Sequence, residues 1–319
     1  MPEILIDICL PTNNSNAEYV CKAIESALAQ TERRWHMYVR DNHSEVDVRN
    51  IIGKYMKDER ISFHPGGLKG TIGENWNRTM RLGKAPFVQF LFQDDWWEPW
   101  FLERALKAME EHPAVGIVSL EHTYVTEGNP SSISLYTELE KFRRENIKEG
   151  KHDGMEILRW WIERELHPNI LGEPDFVFLR RSLMEKAGPY LEDMPQNLDM
   201  EYSIRCLQEA DWYYVKENCG YFRVHGAAES AVNQREGKGV FDRFRCFEEL
   251  IKRLPAGPDR KLAIAARNRA LTDMAKKFLN RMKAGGQVKV SGGSGGAFKK
   301  FAMSHPFLVL GALWRAWRN

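Results

Sequence analysis

Five apolar runs rich in β-branched and aromatic residues recur through the first 120 residues, and helical periodicity fills the gaps between them. The runs are "ILIDICL" (4–10), "WHMYVR" (35–40), "RISFH" (60–64), "FVQFLF" (87–92) and "VGIVSL" (115–120). Between them, Val20, Ile24, Ala27 and Leu28 form one apolar stripe, Val48, Ile51, Ile52 and Tyr55 a second, and Phe101, Ala105, Leu106 and Met109 another, with a further helix over 75–82. Ser15 and Glu18 have capping-box spacing ahead of the first helix. Strands separated by helices must run the same way, so this alternation predicts an α/β fold with a mainly parallel sheet and right-handed crossovers. In such a sheet every strand ends on one rim. "PTNN" (11–14), "DNHS" (41–44), "HPGG" (64–67) and "QDD" (93–95) are therefore expected together, although they are far apart in the chain.

Hydrophobic residues make up 43% of the 319 positions and charged ones 28%, which supplies a core and excludes global disorder. The charge is unevenly placed. Residues 252–319 hold fifteen Lys or Arg against Asp259 and Asp273, a balance of +13; with 46 basic and 44 acidic residues in all, residues 1–251 carry −11. The acidic part is expected to hold the folded machinery and the basic part to face something anionic. Five cysteines without a CxxC pair point to a reducing cytoplasm and not to a disulfide framework. The opening "MPEILIDICLPT" reads as a strand, without the basic start of a signal peptide, and no run reaches the ~20 apolar residues of a spanning helix.

The second half is less regular. Residues 121–152 read as a polar connection, followed by a helix with Met155, Leu158, Trp161 and Ile162. "FVFL" is expected as a strand, "RSLMEKAG" as a short helix closed by Gly188, 197–210 as another helix, and "WYYV" and "YFRV" as strands. From Phe241 the chain reads as helical, with 283–297 as a flexible linker. The expected division is a catalytic domain over 1–240 and a basic helical extension over 241–319. After Pro306, Phe307, Leu310, Trp314 and Trp317 share one helical face with Arg315 and Arg318 beside it. That pattern suits an interfacial helix (298–319) on an anionic membrane surface, a helix packed on the catalytic domain, or a dimer contact. The aliphatic and tryptophan content points away from nucleic acid.

In "FVQFLFQDDWWEPW", Asp94 and Asp95 stand where a buried strand ends. Two adjacent carboxylates are costly there without a cation, and hard oxygen ligands suit Mg²⁺ or Mn²⁺. The competing reading is that one of them caps the helix near Pro99. Asp41 can accept from a base imide or form an Asx-turn. His225 follows a strand and can ligate a metal or sit in a polar loop. Asp199 opens a helix, where the helix dipole alone favours an acid.

Taken in order, "PTNN", "VRDNHS", "NWN…LGKAPFVQFLFQDDWWEP", "LGEPDFVFLRRSLMEKAGPY", "LDMEYSIRCL" and "YFRVHG" resemble the inverting GT-A-fold glycosyltransferases of glycosyltransferase family 2, over residues 4–230. The resemblance implies a Rossmann-like GT-A fold, a nucleotide-sugar donor, a divalent metal, and a glycan or lipid-linked acceptor, in bacterial surface polysaccharide synthesis. It places Pro11, Thr12 and Asn13 in the nucleoside pocket, Asp41 on the base and Asn77 beside the donor. It makes Asp95 and His225 metal ligands and puts Asp94 on ribose or metal. Arg223 falls near the diphosphate, and Asp199 becomes the catalytic base. The first DxD position is Gln93, able to hydrogen-bond a ribose, and Leu198 replaces the acid that often precedes the base, which leaves Glu201 as a competitor. Trp96 and Trp97 are expected as an acceptor floor, and Trp100, Trp160 and Trp161 as core. A non-catalytic sugar-nucleotide or glycan-binding module is the alternative. Cytoplasmic placement at the inner membrane face and an oligomer are compatible with either.

Overall fold

The computed structural model describes residues 3–127, 133–236, 238–239, 241–283 and 301–318. Its first half alternates as expected: β1 (Ile6–Thr12), α1 (Ala17–Leu28), β2 (Trp35–Asp41), α2 (Val48–Ile51), β3 (Ile61–His64), α3 (Ile72–Met80), β4 (Phe87–Phe90), β5 (Trp96–Trp97), α4 (Phe101–Glu111) and β6 (Val115–Leu120). Then come β7 (Thr123–Thr126), α5 (Ile133–Asn146), β8 (Gly150–His152), α6 (Gly154–Glu163), β9 (Val177–Arg180), α7 (Arg181–Ala187), α8 (Leu198–Leu207), β10 (Asp211–Val215) and β11 (Gly220–Val224). Helices α9 (Glu229–Glu236), α10 (Asp242–Arg253), α11 (Pro258–Lys283) and α12 (Pro306–Arg318) follow.

Eight strands form the main sheet in the order β3-β2-β1-β4-β9-β6-β10-β8. Neighbours are parallel except where β9 inserts antiparallel between β4 and β6 and where β8 pairs with β10. The expectation of a mainly parallel sheet flanked by helices is met. β1 is buried along its whole length because helices cover both faces, which explains its apolar run, broken only by Asp7, which pairs with Arg181, and Thr12 at its end. A small second sheet, β5-β11-β7, stands beside the rim. The apolar residues gather in three clusters, two at the sheet and a smaller one among Phe241, Leu271, Phe301 and Ala312 of the C-terminal helices. Of the two at the sheet, one holds Ile8, Leu10, Val39 and Phe101; the other holds Phe90, Trp161, Leu179 and Trp212 and extends to Cys246, Phe247 and Leu250 of α10 and Ala263 of α11. The helical extension is thus joined to the sheet through a shared core. All five cysteines are free. Among the described residues, no helix is long and apolar enough to cross a membrane.

Three sequence expectations change. Asn16, not Ser15, caps α1, its Oδ1 accepting from the amides of Glu18 (2.9 Å) and Tyr19 (3.3 Å), because the Ser15 hydroxyl bonds Gln93 instead. The capping box that does form is Thr71–Glu74 at α3. The "polar connection" at 121–152 contains β7, α5 and β8. Leu135, Leu139 and Phe142 of α5 have helical spacing but are not fully buried, and Arg143 is its one buried residue. The expected linker at 283–297 lies, beyond Lys283, outside the described residues.

Arg143 ties α5 to the sheet. Its guanidinium donates to both oxygens of Glu121 (2.5 and 3.1 Å) and to the Tyr124 hydroxyl (3.1 Å), and Tyr214 donates to Glu121 from the other side. Burial alone would raise the Glu121 pKa, but Arg143 overrides it and holds the carboxyl down at about 2. Removing one partner of a fully buried pair strands the other charge. Arg143→Met is therefore expected to lower unfolding stability by about 3–5 kcal/mol in urea titration, with much of the loss recovered in the double variant Glu121→Leu/Arg143→Met.

Candidate active site

The rim assembles from strands that end level with one another. β1 and β2 pair with Thr12 opposite Asp41, and β1 and β4 pair with Cys9 opposite Phe90. The Thr12 hydroxyl, buried, donates to Asp41 Oδ1 (3.2 Å), while Ser44 gives Asp41 its amide (2.9 Å) and its hydroxyl (2.5 Å). A carboxylate has about four acceptor positions, so roughly one remains on Asp41. Pro11 is buried one residue earlier on β1. The loop after β3 closes over this edge, and a Cβ on Gly66 would come within 2.2 Å of the Asp41 carbonyl oxygen, so only glycine fits. The Asn13 amide donates to Gln93 Oε1 (2.9 Å) and its carbonyl accepts from Gln93 Nε2 (3.1 Å). With Ser15 also on Oε1, the Gln93 amide is a cross-link between the first and fourth strand ends and not a free ribose ligand.

The second sheet supplies the other wall. β5 follows Asp95 directly and pairs antiparallel with β11, which brings the Arg223 amide onto Asp95 Oδ1 at 2.6 Å. Arg223 Nε donates to the Asp94 carbonyl (2.9 Å), and its guanidinium pairs with Glu127 and lies 4.0 Å from the centre of the Tyr19 ring. His225 Nε2 sits 3.1 Å from Asp94 Oδ2. The capping alternative for Asp94 and Asp95 is excluded, since Trp100 occupies the N-cap position of α4 and no side chain caps that end.

Asp95 is buried and faces Asp175, a residue the sequence reading passed over. No donor reaches either carboxylate oxygen of Asp175 among the described residues. Burial is the first cause that pushes both carboxyls well above their ordinary range, and together they can hydrogen-bond only by sharing a proton. Glu173, beside them, accepts from Tyr124 on both oxygens (3.0 Å each) and has His122 Nε2 at 2.8 Å. Burial opposes its ionisation, but His122 and Arg143 prevail and keep it charged. Buried oxygens without donors, next to Asp95 with Asp94 and His225 at the rim, fit a hard divalent cation. No three His, Cys, Asp or Glu side chains among the described residues close a cage by themselves, so water or substrate oxygens would complete the shell.

Asp199 stands in the first turn of α8, as expected. It accepts from Asn169 Nδ2 at 3.2 Å. Removal from water, then the nearby Glu173 charge, raise its carboxyl to about 7 against helix amides that oppose them. Glu173 bears on both Asp95 and Asp199, and Tyr136 senses all three acids, so they belong to one electrostatic centre. Asn169 and Tyr136 also line a cleft of about 960 Å³ bounded by Phe142, His167, Gln196 and Lys238. The competitor Glu201 is 1% exposed and gripped twice by Arg205 (2.7 and 3.0 Å).

Two assignments need correction. Trp97 is 3% exposed, stacks on Phe101 at 4.5 Å and donates to the Asp175 carbonyl (3.0 Å); it is core and offers no face to an acceptor. Asn77 is 1% exposed, with its amide engaged by Tyr190 N, Tyr190 O and Glu192, so it clamps α3 to that segment and has no contact left for a donor. Trp96 is partly exposed, stacked on Tyr221 at 5.0 Å with Lys22 Nζ 3.2 Å from its ring centre. Trp161 is core, as expected, while Trp100 and Trp160 are only partly buried.

Comparison with known proteins agrees with this architecture. The structure of TarS from S. aureus in complex with UDP-GlcNAc superposes with a TM-score of 0.63 at 16% identity, covering 97% of this chain and 79% of that one. The mannosyltransferase PcManGT from Pyrobaculum calidifontis, in complex with GDP-Man and Mn²⁺, superposes at 0.55 with 13% identity over 98% of this chain and 86% of its own. At such identities the likeness establishes the fold. In sequence, the putative teichuronic acid biosynthesis glycosyltransferase TuaG of Bacillus subtilis is 33% identical over 110 residues, 34% of this chain and 42% of that protein. The model of "Glycosyl transferase family 2" matches residues 7–167, which hold the ends of β1 and β2 and the Asp94–Asp95 pair, and the chain belongs to that family.

Proposed function

We propose that this protein transfers a sugar, with inversion, from a UDP- or dTDP-linked donor to a hydroxyl of a glycan or lipid-linked acceptor in the synthesis of bacterial cell-surface polysaccharide or glycoconjugate. One observation carries the reading. Buried acids gather at the strand rim beside His225, and Asp199, held by Asn169 in the first turn of α8, feels the same Glu173 charge that acts on Asp95 and has its proton affinity set near neutrality. The ligands of TarS and PcManGT and the described role of TuaG support it.

In this reading Pro11, Thr12 and Asn13 border the nucleoside, and the remaining acceptor position on Asp41 takes a base imide proton. Asp94 and Arg223 lie on the ribose-diphosphate side. Mg²⁺ or Mn²⁺ held by Asp95 and His225 would supply charge stabilisation for the departing diphosphate. The acceptor enters by the cleft, where Asn169 orients Asp199. The Asp199 carboxylate takes the hydroxyl proton as the new bond forms at the anomeric carbon and the bond to the diphosphate oxygen breaks on the opposite face. Catalysis takes place at the cytoplasmic side, where the sugar nucleotide is available.

Calorimetric titration of UDP, dTDP, GDP and CMP, each with and without Mn²⁺, tests the donor site. Mn²⁺-dependent binding of one nucleotide, lost in Asp95→Ala, is expected; no binding of any nucleotide would refute the reading. Asp199→Asn should keep nucleotide binding and lose roughly 10²–10⁴-fold in kcat. Because Asp199 acts only when ionised, kcat/KM should rise with pH through about 7 and level off above it. The linkage has the opposite sign for stability. Folding raises this pKa above the ordinary 3.8, so the contribution of Asp199 is full below 3.8 and is lost as pH rises through about 7. Asp199→Asn should therefore melt above wild type in alkaline buffer, and a variant equally or less stable there would remove the buried-base assignment.

A further inference from the structure

Among the described residues, five of the eight large apolar side chains left exposed lie between 303 and 317: Met303 (73%), Phe307 (86%), Leu310 (62%), Trp314 (55%) and Trp317 (77%). On α12 the last four follow spacings of three and four, so they share one face. The opposite face is already occupied. Leu308, Val309, Ala312 and Leu313 pack with Ala270, Leu271 and Ala275 of α11 and with Phe301. Polar contacts hold this orientation: Arg315 Nε donates to Thr272 Oγ1 (3.0 Å), and His305 Nε2 lies 2.8 Å from Glu248. The exposed stripe is thus the outer side of a docked helix and has no place in the core.

Charge identifies what covers it. Residues 252–319 carry +13, and the Arg318 guanidinium lies 4.2 Å from the Trp314 ring, at the edge of the stripe. Self-association through this face would bring two such basic segments together. A nucleic acid would meet aromatic and aliphatic side chains where it needs cations. An anionic lipid surface satisfies both features, with indole and phenyl rings among the acyl chains and arginine at the headgroups. α12 is too short and too charged at its end to cross. We propose that the outer face of α12 docks on an anionic bilayer, lying in the headgroup plane. This holds independently of the transfer reaction.

The test is co-sedimentation of the full chain with vesicles rich in phosphatidylglycerol and with vesicles of phosphatidylcholine alone. Binding to the anionic vesicles is expected, weakened by added salt and roughly tenfold weaker in Phe307→Ser/Trp317→Ser. Both side chains point outward, so the thermal unfolding profile of the variant should match wild type. Salt dependence of the unaltered chain gives a second readout if it does not. Absence of anionic-vesicle binding overturns the proposal, as does equal binding to both vesicles. A salt-insensitive dimer that the double variant converts to monomer would assign the face to a second copy and likewise overturn it.

Discussion

The structure turns on one buried carboxylate. Asp95 is 2% exposed at the end of a central strand, a position that disfavours its charge strongly. Everything around it answers that constraint. The three-stranded side sheet exists at the point where β11 can present the Arg223 amide to one carboxylate oxygen, and Asp175 approaches from the segment before β9, its carboxyl raised, like that of Asp95, by burial. Trp97 closes the space behind, donating to the Asp175 backbone.

The same residue type takes different characters a short distance apart. Glu173 is kept ionised by His122, Arg143 and Tyr124, burial holds the carboxyls of Asp95 and Asp175 well above their ordinary range, and Asp199 is left near neutrality. Environment and not composition divides them, because desolvation and neighbouring charge shift each proton equilibrium separately. Arg143 links this centre to α5: through Tyr124 it reaches Glu173, so the helix beside the cleft and the acids of the site are held by one buried network.

Much of the fold was legible. The five runs read as strands all became strands of the main sheet, and "DNHS", "HPGG" and "QDD" met on one rim as a parallel sheet requires. α5 was hidden because charged residues separate Leu135, Leu139 and Phe142, so the segment reads as a polar connection, and its buried attachment is the Arg143–Glu121 ion pair. The site was legible in part. Asp41, Asp94 and Asp95 lie along the rim, Arg223 and His225 contact the Asp94–Asp95 pair, and Asp199 opens its helix beside the cleft; the ligand roles of these residues belong to the proposed function. Glu173 and Asp175 were passed over because "LGEPDF" was read for the strand that follows it. Trp97, Asn77 and Gln93 were read as ligand contacts because their side chains have the right chemistry, yet each is engaged by its own chain.

Sequence alone determined the alternation of strands and helices, the rim on which their polar ends gather, the acidic body and basic extension, and the apolar stripe of α12. Those follow from periodicity and charge, which depend on neighbours within a few positions. Tertiary structure decided which polar groups remain free. Gln93 is engaged by Asn13 across 80 positions, Asn77 by Tyr190 across 113, and Asp95 by Arg223 across 128. Such partners are set by strand order and register, and a hydrogen-bonding group already satisfied inside the fold looks, in sequence, the same as one held ready for a substrate.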